Sequence, residues 1–213
     1  MGKGPELLVL VIATRNAGKK SEITALLNGF PVTVKGLDEF GPLPQPEENE
    51  ATFEGNAYSK AAAAARMLGL PALADDSGLV VDALGGAPGV HSARYGGEEA
   101  SDAQRCAKLL RAMAGQTNRR AAFACVLSIA LPNGRALTYT GRCEGLIAAA
   151  PSGRSGFGYD PVFYYPPLAK TFAELTPEEK SRVSHRGNAL KALKAEFDKV
   201  ITWIRLHMPV DNN

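Results

Sequence analysis

The feature that most constrains this chain lies near its start. An apolar run, Leu7–Ala13, ends in Thr14-Arg15-Asn16-Ala17-Gly18-Lys19-Lys20, and a helical pattern follows at once. The run is too short to span a bilayer and reads as a buried strand. From about Lys19 to Leu27, residues Ile23, Leu26 and Leu27 fall on one helical face. Strand, Gly-containing turn and helix together open an α/β unit.

Length and charge narrow the reading. A chain of 213 residues, 45% of them hydrophobic, can bury a sizeable core and is expected to form one domain, or two lobes sharing a core. The formal charge of +2 is too small for a protein that holds nucleic acid by neutralising many phosphates, so a bound anion must meet a local site. No stretch has the roughly 18 consecutive apolar residues of a membrane helix, so no membrane partner is expected. Cys106, Cys125 and Cys143 are scattered without a C-x-x-C, which indicates neither a disulfide framework nor a zinc knuckle and fits a reducing cytoplasmic setting. His91, His185 and His207 lack zinc-binding spacing, so any metal is expected to be a hard one.

Further along, a Pro-rich acidic stretch, Gly41 to Asn49, precedes a helix expected from about Thr52 to Leu68, on which Asn56 and Lys60 share a face. A short strand, Ala72–Ala74, is expected to run into a turn at Asp75-Asp76-Ser77-Gly78, with Leu79-Val80-Val81 beyond. Ser101 or Asp102 can cap a helix ending at Gly115. Ala121–Leu131 and Arg135–Cys143, flanking Pro132-Asn133-Gly134, predict a hairpin and hence a mixed sheet. Thr176-Pro177-Glu178-Glu179 is a strong helix start, and Ser184 can cap a second helix carrying Leu190, Leu193, Phe197, Val200 and Ile204.

Four constellations can carry chemistry. Thr14–Lys19, between strand and helix, offers backbone N–H groups and lysines to phosphate, although the spacing fails the P-loop pattern and a capped turn with solvated lysines has the same residues. Asp75-Asp76, with Glu47, Glu48 or Glu50, suits Mg²⁺, while two adjacent Asp also cap turns. Phe157-Gly158-Tyr159-Asp160 can stack and hydrogen-bond a base or can be turn packing. Lys180, His185 and Arg186 gather cations fit for phosphate or a carbonyl oxygen, or form a solvated helix face.

Taken in order, Thr14–Lys19, Thr52-Phe53-Glu54-Gly55-Asn56-Ala57 with Lys60, Ala74–Leu79, Gly85-Gly86-Ala87-Pro88-Gly89, Phe157–Asp160 and Ser184-His185-Arg186 resemble the inosine triphosphate pyrophosphatase family. The likeness runs from Leu8 to about Leu193. It implies an elongated α/β fold with a long mixed sheet, two lobes flanking a nucleotide cleft, and a homodimer. The implied activity is Mg²⁺-dependent hydrolysis of deaminated purine nucleoside triphosphates (ITP, dITP, XTP) to monophosphate and diphosphate, which cleanses the nucleotide pool. On matching positions, Thr14, Arg15, Asn16, Ala17, Gly18 and Lys19 would cradle the triphosphate. Asp76 would accept a proton and ligate metal, with Glu48 (or Glu47) as second ligand. Ser77 would touch substrate, and Lys60 and Lys180 would contact the nucleotide. Phe157, Gly158, Tyr159 and Asp160 would meet the sugar and base, and His185 and Arg186 the base. Arg15 stands where the family usually has Gly. The alternatives are a pyrophosphatase for modified pyrimidine triphosphates and a nucleotide sensor without turnover.

Overall fold

The computed structural model describes residues 7–44 and 49–208. In chain order the elements are β1 (Leu8–Ile12), α1 (Ala17–Leu27), β2 (Val32–Gly36), α2 (Phe53–Leu68), β3 (Ala72–Val81), α3 (Asp102–Ala112), β4 (Arg120–Ala130) and β5 (Ala136–Ile147), then β6 (Phe163–Tyr165), β7 (Lys170–Thr171), α4 (Pro177–Val183), α5 (His185–Ala195) and α6 (Phe197–His207), with short 3-10 turns between some of them. The strands form one seven-stranded sheet in the order β2-β1-β3-β4-β5-β6-β7. β1 runs parallel to β2 and β3, whereas β6 is antiparallel to β5 and to β7. The sheet is therefore mixed, as the Asn-Gly between β4 and β5 implies.

The chain divides into two compact units. The first holds the chain up to Asp76, Val126–Tyr139 and the segment from Leu190 onward; the second holds Ser77–Cys125 and Thr140–Ala189. In the first unit, Ala61, Ala62, Ala64 and Ala65 of α2 are buried with Val11, Ala72, Ala74 and Ala130. A face of methyl groups lets α2 lie close to the strands, which explains the alanine run as packing. The second unit is centred on Leu79, Leu109, Met113, Phe123, Phe163 and Phe172. Its phenylalanines meet at centroid distances of 4.6 Å (Phe123–Phe163) and 4.7 Å (Phe163–Phe172), in the tilted and edge-on arrangements that aromatic quadrupoles favour.

Two sequence expectations are corrected. Asp75-Asp76-Ser77-Gly78 is not a turn between two short strands: β3 runs unbroken from Ala72 to Val81. Residues favoured in turns are held in the ladder here because each buried carboxylate is met by a lysine, as described below. The single C-terminal helix is two. The Glu196 N–H bonds to the Leu193 carbonyl, three residues back, and Glu196 leaves helical geometry at φ −117°, ψ 6°. The break sets Phe197 wholly inside the first unit, edge-on to Phe30 at 4.8 Å. Among the described residues, no helix is long and apolar enough to cross a membrane.

Candidate active site

The first unit carries Lys19, Lys60, Asp75 and Asp76. Asn16 caps α1: its side-chain oxygen accepts from the Lys19 N–H at 3.0 Å, while Thr14 Oγ1 accepts from the Asn16 N–H at 3.2 Å. The turn after β1 is thus shaped by its own side chains, with the first amides of α1 at its open end. Arg15 Nη2 donates to the Leu43 carbonyl at 2.9 Å, so its guanidinium is turned along the chain beyond β2.

Asp75 and Asp76 are adjacent in a strand and so project to opposite faces of the sheet. Their partners show it. Asp75 lies 2.8 Å from Lys19 Nζ of α1, and Asp76 lies 2.8 Å from Lys60 Nζ of α2. The two carboxylates therefore do not face one cation together, and of the two only Asp76 was expected as a metal ligand. Asp76 also accepts from Asn56 Nδ2 at 3.4 Å, and Asn56 Oδ1 accepts from the Glu50 N–H at 3.1 Å. Asn56, 1% exposed, joins the candidate site, although it was not among the residues expected there. Its signal was the four-residue spacing to Lys60, which puts both on the α2 face that meets Asp76.

In the second unit the Phe157–Asp160 segment is a tight turn. Asp160 Oδ2 accepts from the Phe157 N–H at 2.9 Å and is ion-paired with Lys180. A Cβ at Gly156 (φ 78°) would overlap that carboxylate, so the position requires glycine. Burial pushes the Asp160 carboxyl above its ordinary range, with the Lys180 ammonium pulling the other way. Phe157 is 54% exposed, and Lys180 Nζ lies over its ring at 4.5 Å, with the Arg186 guanidinium carbon at 5.9 Å. Tyr159, by contrast, is buried, and its hydroxyl donates to the Ser92 carbonyl at 2.8 Å. Of the two aromatic residues in this turn, Tyr159 is packing and Phe157 alone exposes a ring face.

Ser184 ends α4 and starts α5: its N–H donates to the Lys180 carbonyl and its Oγ accepts from the Gly187 N–H at 3.1 Å. The next residues, His185 and Arg186, are buried. His185 stacks on Phe123 at 4.7 Å and 15°, and Arg186 Nη2 donates to Ser77 Oγ at 3.4 Å. A Cβ at Gly141 would fall 3.0 Å from Ala189 Cα, so glycine in β5 is what lets α5 lie this close. One face of the second unit thus gathers an exposed ring, a buried carboxylate, an ammonium and a guanidinium.

The family model described as the Ham1 family matches residues 10–196. The chain belongs to the Ham1 family. It is 58% identical over 207 residues to a dITP/XTP pyrophosphatase of Syntrophobacter fumaroxidans, covering 97% of this chain and 89% of that protein. It is 51% identical to the dITP/XTP pyrophosphatase of Geobacillus kaustophilus, over 90% of this chain and 95% of that one. Among solved structures, a HAM1 protein from Coxiella burnetii superposes with a TM-score of 0.87 at 44% identity, covering 90% of this chain and 99% of that one. The Staphylococcus aureus Ham1 protein gives 0.85 at the same identity and coverage.

In this Ham1 chain, Asp76 can offer oxygen to a hard metal on the α2 side, and the exposed Glu50, whose Oε1 accepts from Ser59 Oγ at 3.4 Å, is a second described carboxylate beside α2. Glu48, expected as the second ligand, and Glu47 lie outside the described residues. Among the described residues, no group of three His, Cys, Asp or Glu side chains is placed to hold a metal ion. A single carboxylate suits Mg²⁺ that keeps its waters and takes its other oxygens from substrate phosphates.

Proposed function

We propose that this chain is a nucleoside triphosphate pyrophosphatase that hydrolyses dITP, ITP and XTP to the monophosphate and diphosphate. The observation that carries the reading is Asp76, 9% exposed, with the Lys60 ammonium at 2.8 Å and the Asn56 amide at 3.4 Å. Family membership and relatives named for this activity support it.

In this reading the first unit handles the triphosphate end. The α1 N-terminus, Lys19 and Lys60 meet negative oxygens, and positive charge there stabilises the charge that builds up as diphosphate leaves. Asp76 accepts the proton of the attacking water, whose oxygen bonds to the α-phosphorus while the bond to the β-phosphate oxygen breaks. Asp76 would hold Mg²⁺, which would supply further charge neutralisation. The second unit handles the base: the Phe157 ring offers a stacking face and Arg186 a donor. Hypoxanthine and xanthine carry a 6-oxo acceptor where adenine carries an amino donor, so adenine would set its own amino group against the Arg186 donor. Cys106, Cys125 and Cys143 are buried and none is in a disulfide, which supports placing the enzyme in a reducing cytoplasm. The homodimer remains part of the proposal, to be tested by sedimentation.

The deciding experiment incubates the purified protein with ITP, dITP, XTP and the standard triphosphates in Mg²⁺ and ¹⁸O-water. Monophosphate and diphosphate are expected, with the label in the monophosphate. Orthophosphate as the first product, or label in diphosphate, would overturn the reading. Asp76→Asn is expected to keep the fold and lose nearly all turnover; near-normal turnover at saturating Mg²⁺ would remove Asp76 as the base.

A further inference from the structure

The Phe157–Asp160 turn is gripped from outside by α3. Asp102, the first residue of α3, accepts from Arg105 Nη2 at 2.5 Å with one carboxylate oxygen and from the Gly158 N–H at 2.6 Å with the other. One turn along, Cys106 Sγ donates to the Gly158 carbonyl oxygen at 3.3 Å. Residues four apart share a helix face, so this face of α3 engages both backbone polar groups of one glycine. Arg105 is itself fixed, donating to the carbonyls of Ala93 at 2.9 Å and Ala100 at 2.5 Å. The protonation states suit these roles. Burial first, and the nearby carboxylates after it, push the Cys106 thiol up to about 11, so it keeps a proton to donate at neutral pH. Burial works against ionisation of Asp102, but the Gly158 amide and Arg105 outweigh it and hold its carboxyl below the ordinary range.

We propose that Asp102 and Cys106 clamp the Gly158 peptide groups and so position the Phe157 ring and Asp160 carboxylate for base discrimination. This rests on the reading that the turn meets the base. Phe157 is tied to Asp160 through its own N–H, so displacement of Gly158 moves ring and carboxylate together. Neither clamp residue need touch substrate: both are positioning residues.

The test measures KM and kcat for ITP and ATP, and the inhibition constant of inorganic tripolyphosphate, in the whole chain. Asp102→Ala is expected to raise KM for ITP and to erode the ITP-over-ATP preference by about tenfold, the lower range for a hydrogen bond to a charged group. Tripolyphosphate inhibition should be unchanged, because that probe has no base. Asp102→Asn keeps an acceptor for Gly158 and should recover most of the preference. Cys106→Ala should lose roughly two- to threefold, as a weak neutral donor would, and Cys106→Ser should restore it. If Asp102→Ala does not fold, the cysteine pair decides. Phe157→Ala is the control for the underlying reading. A changed preference in Phe157→Ala with none in the clamp variants overturns the clamp alone. Silence in both overturns the reading of the turn and the clamp with it. A tripolyphosphate constant rising in step with KM would show general damage and also overturn the proposal.

Discussion

The Asp75 side chain is 1% exposed and its ammonium partner, Lys19, lies 2.8 Å away. Removing one member of such a pair strands a buried charge, so Lys19→Ala should cost about 3 kcal/mol of stability in urea unfolding. The same change in an Asp75→Asn background should cost far less, because no carboxylate is left unpaired. Kinetically, Lys19→Ala should weaken all triphosphates by similar factors, since phosphates carry no base identity. Arg186 is a different case: it is buried, bonded to Ser77, and stands over the exposed Phe157 ring. Arg186→Ala should lose about one to two decades of the ITP-over-ATP ratio, mainly by slowing ITP, as expected for a charged donor to a carbonyl oxygen. Equal slowing of ITP and ATP would instead assign Arg186 to the phosphates. The cysteines are a third case. Burial pushes the Cys106 thiol to about 11 and the Cys143 thiol to about 12. Neither should react with iodoacetamide at pH 8 while the protein is folded, and both should do so in denaturant; rapid labelling of the native protein would contradict their burial.

Thr176 caps α4 with a full capping box, its Oγ1 accepting from the Glu179 N–H and Glu179 returning to the Thr176 N–H. That short helix carries Lys180, so Thr176→Ala should cost about 1 kcal/mol. For a chain of this length the expected fall in Tm is roughly 2–4 °C. Caps were legible in the sequence because their chemistry is local. Thr176 with Glu179, the cap at Ser101 or Asp102, and the Asn-Gly before β5 each act within a few residues. β1, α1 and α2 were legible because their apolar periodicity is strong. β3 was misread for the opposite reason. Asp-Asp-Ser-Gly is turn chemistry in isolation, and only Lys19 and Lys60, distant in sequence, make a continuous buried strand tolerable. The break at Glu196 had no glycine or proline to announce it, and it follows from the burial of Phe197 against Phe30. β2, β6 and β7 were not anticipated: they are short, and their pairing comes from the sheet. In the site, the residue types of Lys60, Asp76, Lys180 and Arg186 were legible, but two facts were not. Asp75 and Asp76 serve different helices, and Tyr159 is core.

In the proposed reading, the first unit brings Lys19, Lys60 and Asp76 to the triphosphate end. Asp75 is taken by α1 and Asp76 by α2, on opposite faces of the sheet, so the pair cannot close on one cation. Mg²⁺ should therefore bind weakly to the free protein and tightly only with a triphosphate that completes its oxygen shell. Binding to the folded state alone stabilises by about 2.7 kcal/mol at a hundredfold excess over Kd. At 2–4 °C per kcal/mol for a chain of this size, that is a rise in Tm of roughly 5–11 °C. The expected pattern in a thermal melt is thus no shift with millimolar Mg²⁺ alone, a modest one with the non-hydrolysable α,β-methylene analogue of ITP alone, and the full rise with both. EDTA should abolish turnover while leaving the Tm of the nucleotide-free protein in place. A rise of several degrees with Mg²⁺ alone would mean that the protein holds a preformed cage, with Glu47 or Glu48 joining Asp76 before any substrate arrives.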